Sequence, residues 1–211
     1  NYLDLICNDV DSSSTNLIPF RNGVLDIATG ELLPFSYEHI ITNKINWDYN
    51  PNAYDEFADA TLNRIACDDA EIRLLLEEII GACFYRSNTL AGGKSFMLVG
   101  EGANGKSTFI SILNKILGNE NISSLDMKNL DDRFSTVRLY KKLANLGDDI
   151  SEEFNADVST FKKIVTGDRI DAEEKGQPKF EFNPYCKLVF SANTIPRIKD
   201  KTGAAIRRML I

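Results

Sequence analysis

The residues with the clearest chemical role lie in a glycine-rich turn between two apolar stretches. Residues 100–108 read GEGANGKST, which has the spacing G-x-x-x-x-G-K-S of a phosphate-binding loop. In such a loop the backbone N–H groups surround the phosphates, the lysine reaches the outer ones and the hydroxyl holds Mg²⁺. The sequence therefore predicts a site for a nucleotide and Mg²⁺. The predicted contacts are Gly100, Glu101, Gly102, Ala103, Asn104, Gly105, Lys106, Ser107 and Thr108.

The flanks of this turn have the patterns of a strand and a helix. The run KSFMLV before the turn is a short apolar stretch typical of a buried strand. After the turn, apolar residues recur at helical spacing from Phe109 to Leu117, and Gly118 ends the pattern. A strand, a loop and a helix in this order predict an α/β protein that binds phosphate groups at the turn.

Two acids and an amide follow later apolar stretches and could complete the site. Asp148 and Asp149 come directly after the stretch ANLG, and an acid at the end of a neighbouring strand is the expected partner of Mg²⁺. We assign Asp148 to the metal and Asp149 to the base that orients the attacking water, with a solvated Asp-Asp turn as the alternative. Asn193 ends the stretch KLVFSA and could bind the same water or the γ-phosphate.

Four basic residues are candidates for contacts with phosphate groups outside the loop. Lys175 and Lys179 flank the turn of a predicted hairpin and could bind a nucleic-acid backbone, although an ordinary solvated turn is the alternative. Arg207 and Arg208 lie beyond Asn193. A guanidinium suits the charge that develops on a transferred phosphoryl group, so these two are candidates for an arginine finger. A pair of surface arginines, or a contact with an acidic partner, is the alternative.

The composition limits the class of protein. Of 211 residues, 43% are hydrophobic and 26% are charged, which is an ordinary globular composition. The net charge of −7 argues against a broad nucleic-acid-coating surface but is compatible with a narrow channel lined by a few lysines. The four cysteines are widely spaced, so we expect reduced thiols in a cytosol-like compartment rather than zinc or disulfides. No apolar run approaches membrane-spanning length.

The chain divides by pattern into three parts. Residues 1–53 are β-rich, residues 54–90 have helical spacing, and residues 91–211 hold the P-loop domain. Asp68 and Glu71 have the spacing of a capping box at the start of a helix in the second part. Because the chain begins without Met and ends within the apolar run RRMLI, we expect a longer whole protein and a truncated third part.

The order of these motifs resembles that of the superfamily 3 helicases, and most closely that of the helicase part of phage, plasmid and poxvirus-type DNA primases. Five stretches after residue 99 and one before it carry the resemblance. They are IPFRNGVLDIATGELLPFS (18–36) for the pre-helicase region, GEGANGKST (100–108) for motif A, NLGDDIS (145–151) for motif B, FKKIVTGDRIDAEEKGQPKF (161–180) for the signature between motifs B and C, LVFSANTIP (188–196) for motif C, and DKTGAAIRRMLI (200–211) for the finger segment.

The resemblance implies a fold, an activity and partners. The fold would be an AAA+-like P-loop ATPase with a mainly parallel central sheet flanked by helices, preceded by a β-rich segment and a short helical region. The activity would be ATP-driven, Mg²⁺-dependent DNA translocation in the replication of a phage, plasmid or other mobile element. A hexameric ring would pass single-stranded or forked DNA through its pore, where the hairpin lysines lie. A primase domain would precede the chain, and the location would be the cytoplasm of a bacterium or a virus-infected cell.

The resemblance also orders the candidates for individual roles. Arg208 is the preferred finger because the apolar MLI after it resembles the strand that follows the finger in this family, and Arg207 is the substitute. Asn193 takes the place of the sensor asparagine. Asp149 departs from the pattern, because many members have a glutamate there and the shorter acid reaches less far.

Two other functions would use the same loop. A small-molecule kinase would be expected to carry an arginine-rich lid, which is not evident, and would give the predicted hairpin no role. A nucleotide-dependent assembly factor without motor activity is the second alternative. ATP hydrolysis that rises when single-stranded DNA is added would distinguish the motor from both.

Overall fold

A computed structural model of the chain describes residues 15–88, 93–147, 153–154, 158–195, 197–198 and 203–211. The helices in these ranges are α1 (Glu56–Ile65), α2 (Ala70–Phe84), α3 (Lys106–Leu117) and α4 (Ser159–Thr166). The strands are β1 (Leu17–Phe20), β2 (Gly23–Asp26), β3 (Glu31–Leu33), β4 (Ser95–Val99), β5 (Ile122–Ser123), β6 (Ala144–Gly147), β7 (Glu153–Phe154), β8 (Ile170–Ala172), β9 (Phe180–Phe182), β10 (Lys187–Ala192), β11 (Arg197–Ile198) and β12 (Met209–Leu210).

A five-stranded parallel sheet forms the centre of the fold. Its strand order is β12-β4-β10-β6-β5, and every neighbouring pair runs parallel. Strand β10 therefore lies between β4 and β6, and all six of its residues are buried. A central parallel strand is covered on both faces, which explains its nearly continuous apolar sequence. The predicted α/β class with a mainly parallel sheet is confirmed.

Each face of the sheet has its own apolar core. Successive strand residues point to opposite faces, so Phe96 packs with the buried stripe of α3, whereas Met97 packs with that of α4. The buried residues of α3 are Phe109, Leu113 and Leu117, and those of α4 are Phe161, Ile164 and Val165. Helix α3 is thereby fixed against the strand that precedes the phosphate loop.

The N-terminal part combines an antiparallel sheet with a helix pair. Strands β1, β2 and β3 pair in sequence order, and α1 and α2 follow. Asp69, and not the predicted Asp68, caps α2, because its carboxylate accepts from the backbone N–H groups of Glu71 and Ile72. Cys67 and Asp68 both adopt positive φ angles (54° and 60°), and this tight turn delays the helix by one residue. The division at residues 53 and 90 stays a prediction.

A buried lysine joins the end of α2 to the start of β10. Lys187 is 4% exposed, and its ammonium donates to the backbone oxygens of Tyr85, Ser87 and Tyr185 at 2.8–2.9 Å. Burial lowers the pKa of Lys187 to about 8. The neighbouring thiols of Cys83 and Cys186 have pKa values raised by burial to about 12, so they provide no anion at neutral pH. Three carbonyl oxygens therefore compensate the charge.

Lys187→Met should lower the free energy of unfolding by about 2–4 kcal/mol, because three buried carbonyl oxygens would lose their donor. Urea unfolding measures this value, and Lys115→Met on the exposed surface of α3 is the control, for which we expect a change within about 0.5 kcal/mol. Equal losses in both variants would contradict the compensating role of the ammonium.

The same lysine gives the stability a pH dependence. Its folded-state pKa lies below the unfolded value of about 10.4, so the unfolded chain holds more protons between these two values. The contribution of Lys187 to stability therefore rises as the pH rises from about 8 to about 10.4. The difference in stability between the wild type and Lys187→Met should widen over this range.

Cys67, Cys83 and Cys186 have free thiols, and Cys7 lies outside the described residues. Among the described helices, none combines the length and the apolar character that a membrane crossing requires.

Candidate functional site

The glycine-rich turn forms a loop that joins β4 to α3. Its backbone reverses at Ala103 and Gly105, whose φ angles are 64° and 89°. A side chain at Gly105 would be strained by this φ, and its Cβ would lie 2.8 Å from Cγ1 of Ile65 in α1. The glycine at this position is therefore required by the backbone conformation and by the close approach of α1.

The first turn of α3 offers hydrogen-bond donors to the space beside the loop. The helix begins at Lys106, and its N-cap residue Gly105 has no side chain with which to cap it. Free N–H groups and the positive end of the helix dipole favour a phosphate at this place. The hydroxyl-bearing residues Ser107 and Thr108 of the same turn are exposed. These features fit the phosphates of a nucleotide.

The ammonium of Lys106 lies within the loop. It donates to the backbone oxygens of Gly100 and Glu101 (3.2 Å for the latter) and to Oδ1 of Asn104 at 3.0 Å. The positive charge is thus held among the same residues whose backbone N–H groups would surround phosphates. The contact of this lysine with the outer phosphates stays a prediction.

The end of β10 lies beside the loop. Ala192 pairs with Val99, and its oxygen accepts a hydrogen bond of 3.2 Å from the N–H of Gly100. Asn193 follows directly and is exposed. A cleft of about 440 Å³ lies between the loop and this strand end, lined by residues 102–108 and 191–193. The structure therefore brings Asn193 to the same cleft as Lys106.

The carboxyl end of strand β6 lies on the same side of the sheet as those of β4 and β10. Its last residue, Gly147, pairs with Phe190 of β10. The buried amide of Asn145 exchanges hydrogen bonds with the backbone N–H and oxygen of Leu125, so a polar residue is tolerated inside the strand. Asp148 and Asp149, which follow Gly147, lie outside the described residues. Their assignment to the metal and the attacking water stays a prediction.

The two arginines lie at the other end of the strands, near the start of β4 and not near the loop that follows it. Arg208 directly precedes β12, whose Met209 pairs with Ser95 at the start of β4, and its Nη1 donates to the oxygen of Ala204 at 2.9 Å. The five residues of β4 separate this pair from the phosphate loop by about 17 Å. Arg207 is exposed beside it. Neither arginine belongs to the cleft of its own chain.

The predicted hairpin is present, with both lysines near its tip. Strands β8 and β9 pair antiparallel, and Gly176 in the connecting turn has a φ of 82°. Lys175 is exposed, and the side chain of Lys179 is 69% exposed and lies 3.7 Å from the carboxylate of Glu173. Both lysines are thus on the surface. No pattern in the sequence predicts that Glu173 takes part in an ion-pair cluster or that Ile65 approaches Gly105, because both contacts depend on residues distant along the chain.

Two family models match the chain. Residues 98–208 match DUF5906, described as a family of unknown function, and residues 4–81 match a model described as D5 N terminal like. The first match contains the phosphate loop, the hairpin and both arginines.

A viral relative and several solved structures are also similar. The chain is 26% identical over 209 residues to the candidate helicase L207/L206 of Acanthamoeba polyphaga mimivirus, covering 92% of this chain and 21% of the relative. Apo structures of the NrS-1 C-terminal region share the fold, with TM-scores of 0.54 and 0.58, identities of 21% and 22%, and coverage of 71% and 77% of this chain. The chain spans 35% and 40% of those structures. These findings support the resemblance at the level of helicase-related proteins, whereas membership of superfamily 3 stays a prediction.

Proposed function

The chain belongs to the DUF5906 family, and we propose that it is the ATP-hydrolysing part of a DNA helicase or translocase that acts in replication. One observation carries most weight. Strand β10 lies parallel between β4 and β6, so the carboxyl ends of the three strands lie side by side. The phosphate loop follows the first of these ends, Asn193 the second, and Asp148 comes next in sequence after the third. This arrangement supports an AAA+-like P-loop ATPase of the superfamily 3 type.

The residues at these strand ends divide into binding and catalytic roles. The loop N–H groups and Lys106 would bind the phosphates of ATP, and Ser107 and Asp148 would hold Mg²⁺. The metal would neutralise charge on the phosphate oxygens. Asp149 would orient and deprotonate the attacking water, and Asn193 would hold that water or the γ-phosphate. The lysine and the amide already border one cleft, which supports this assignment.

The proposed partners follow from the remaining basic residues. The mimivirus relative is named as a helicase, and the hairpin presents Lys175 and Lys179 on the surface, where a single-stranded DNA backbone could meet them.

Arg208 lies too far from its own loop to serve it, so a neighbouring chain must present this residue if it acts as a finger. A hexameric ring meets this requirement, and a primase domain would precede the chain in the whole protein.

The proposal predicts that ATP hydrolysis by the full-length protein rises severalfold when single-stranded DNA is added. The measurement is phosphate release with Mg²⁺, with and without an oligonucleotide long enough to fill a ring. A rate that responds to a small-molecule acceptor instead would identify a kinase. A rate that responds to neither addition would favour the assembly factor.

A further inference from the structure

The tip of the hairpin carries as many carboxylates as ammonium groups. Glu173, Glu174, Lys175 and Lys179 lie in the connection between β8 and β9. Two acids and two bases cancel, so this connection alone gives no net attraction to a nucleic-acid backbone. The cleft beside it adds the carboxylates of Asp131, Asp132 and Asp171 against the single ammonium of Lys163. Arg133 also lines this cleft and brings the count to five carboxylates and four cations, so any attraction to DNA depends on which cations are left exposed and not on the net charge.

Arg133 binds one of these carboxylates, that of Glu173, through two hydrogen bonds. Its Nε donates to Oε2 of Glu173 at 2.9 Å, and its Nη2 donates to Oε1 at 2.8 Å. Both carboxylate oxygens are therefore bound by one guanidinium, which is the strongest geometry for this kind of pair. The side chain of Glu173 is only 16% exposed, and the hydrogen bonds from Arg133 are the main cause of the lowered pKa of its carboxyl group.

Lys179 is a second cation beside the same carboxylate. Its ammonium is 3.7 Å from Oε2 of Glu173, which is within the range of an ion pair but too long for a hydrogen bond. The planar fork of Arg133 takes both oxygens, and Lys179 remains 69% exposed. The lysine is thus held only weakly by Glu173 while Arg133 is present.

The position of the hairpin depends on other contacts as well. The ring of Tyr140 packs edge-on against Phe180 and Phe182, with centroids 5.1 and 5.2 Å away. The hydroxyl of Thr136 donates to the oxygen of Asp171 at 2.8 Å. These contacts should keep the hairpin in place when Arg133 is replaced.

We propose that Arg133 is a positioning residue that occupies Glu173 and so leaves Lys179 free to bind a DNA phosphate. Without Arg133, Glu173 would bind Lys179 and remove one of the two cations of the hairpin. The inference rests on the proposed function, in which the hairpin contacts single-stranded DNA.

This inference is tested by measuring how tightly the full-length protein binds a fluorescent oligothymidine at several salt concentrations. Arg133→Gln should weaken binding about fivefold and lower the slope of log K against log salt by about 0.7, which corresponds to one phosphate contact. Arg133→Lys keeps the charge but cannot bind both oxygens, and it should give an intermediate result.

A mutant cycle separates positioning from direct contact with DNA. Lys179→Ala should weaken binding about fivefold in the otherwise unchanged protein and add almost nothing in Arg133→Gln, because Lys179 is then already neutralised. Adding Glu173→Gln to Arg133→Gln should restore the full cost of Lys179→Ala. Arg169→Gln is the matched control, because Arg169 pairs with Glu181 in the same hairpin at 3.4 Å, and Lys179→Ala should keep its full cost there.

Additive losses for Arg133→Gln and Lys179→Ala would overturn the inference, since they would show that Arg133 contacts DNA independently. A protein that binds DNA but is indifferent to Lys179→Ala would overturn it as well, while leaving the proposed motor function in place. A full-length protein that neither binds single-stranded DNA nor hydrolyses ATP faster in its presence would overturn the proposed function itself.

Discussion

Lys106→Ala should lower ATP hydrolysis by at least about a hundredfold, because it removes the only lysine in the loop that would face the outer phosphates. The loop itself should also change, since the ammonium binds Gly100, Glu101 and Asn104 in the folded chain. We therefore expect weaker ATP binding in addition to slower turnover. Phosphate release measures the turnover, and titration with a fluorescent ATP analogue measures the binding.

Lys115→Ala is the matched control for this variant. Lys115 lies in the last turn of the same helix and is exposed, so its removal changes the net charge by the same amount without touching the loop. The control should keep wild-type turnover. Wild-type turnover in Lys106→Ala itself would show that the loop does not bind the reacting phosphates, and the ATPase proposal would then be wrong.

The elements with local sequence signals could be predicted. The loop from Gly100 to Gly105, the helix that follows it and the antiparallel hairpin each depend on residues within about ten positions of one another, and each is present in the structure. The start of α2 was missed by one residue, because Asp68 and Asp69 are chemically alike and only the backbone angles of the turn decide which one caps the helix.

The contacts between distant residues could not be predicted. Ile65 approaches Gly105, Arg133 binds Glu173, and Lys187 binds the oxygen of Tyr85 only after the chain has folded. No periodicity or spacing links such pairs, since their distance along the chain is set by the elements between them. The strand order has the same origin, because β10 enters between β4 and β6 from more than 80 residues after β4.

The second large loss of ATP hydrolysis is expected when Arg208 is replaced. Arg208 lies near the amino end of β4, and the phosphate loop follows the carboxyl end of the same strand. A finger at this position must therefore serve the loop of a neighbouring chain. Arg208→Ala alone should lower hydrolysis about a thousandfold, which is the lower end of the range for arginine fingers. Arg207→Ala is the comparison, and we expect a much smaller loss.

Mixing two inactive variants tests this arrangement directly. Subunits with Lys106→Ala have a defective loop but an intact finger, and subunits with Arg208→Ala have the reverse. In a head-to-tail ring assembled at random from equal amounts, about a quarter of the interfaces combine an intact loop with an intact finger. Hydrolysis by the mixture should therefore recover to as much as about a quarter of the wild-type rate, whereas neither variant alone should be active.

A double variant serves as the control that shows whether such recovery comes from the finger. Subunits with both Lys106→Ala and Arg208→Ala contribute neither an intact loop nor an intact finger, so mixing them with Arg208→Ala subunits should restore nothing. If mixed rings form, as shown by two affinity tags recovered together, and the Lys106→Ala and Arg208→Ala mixture stays inactive, Arg208 does not act across the interface. Activity that returns only when the finger and the loop come from different subunits would require that the face of one chain bearing Arg208 meets the loop edge of the next.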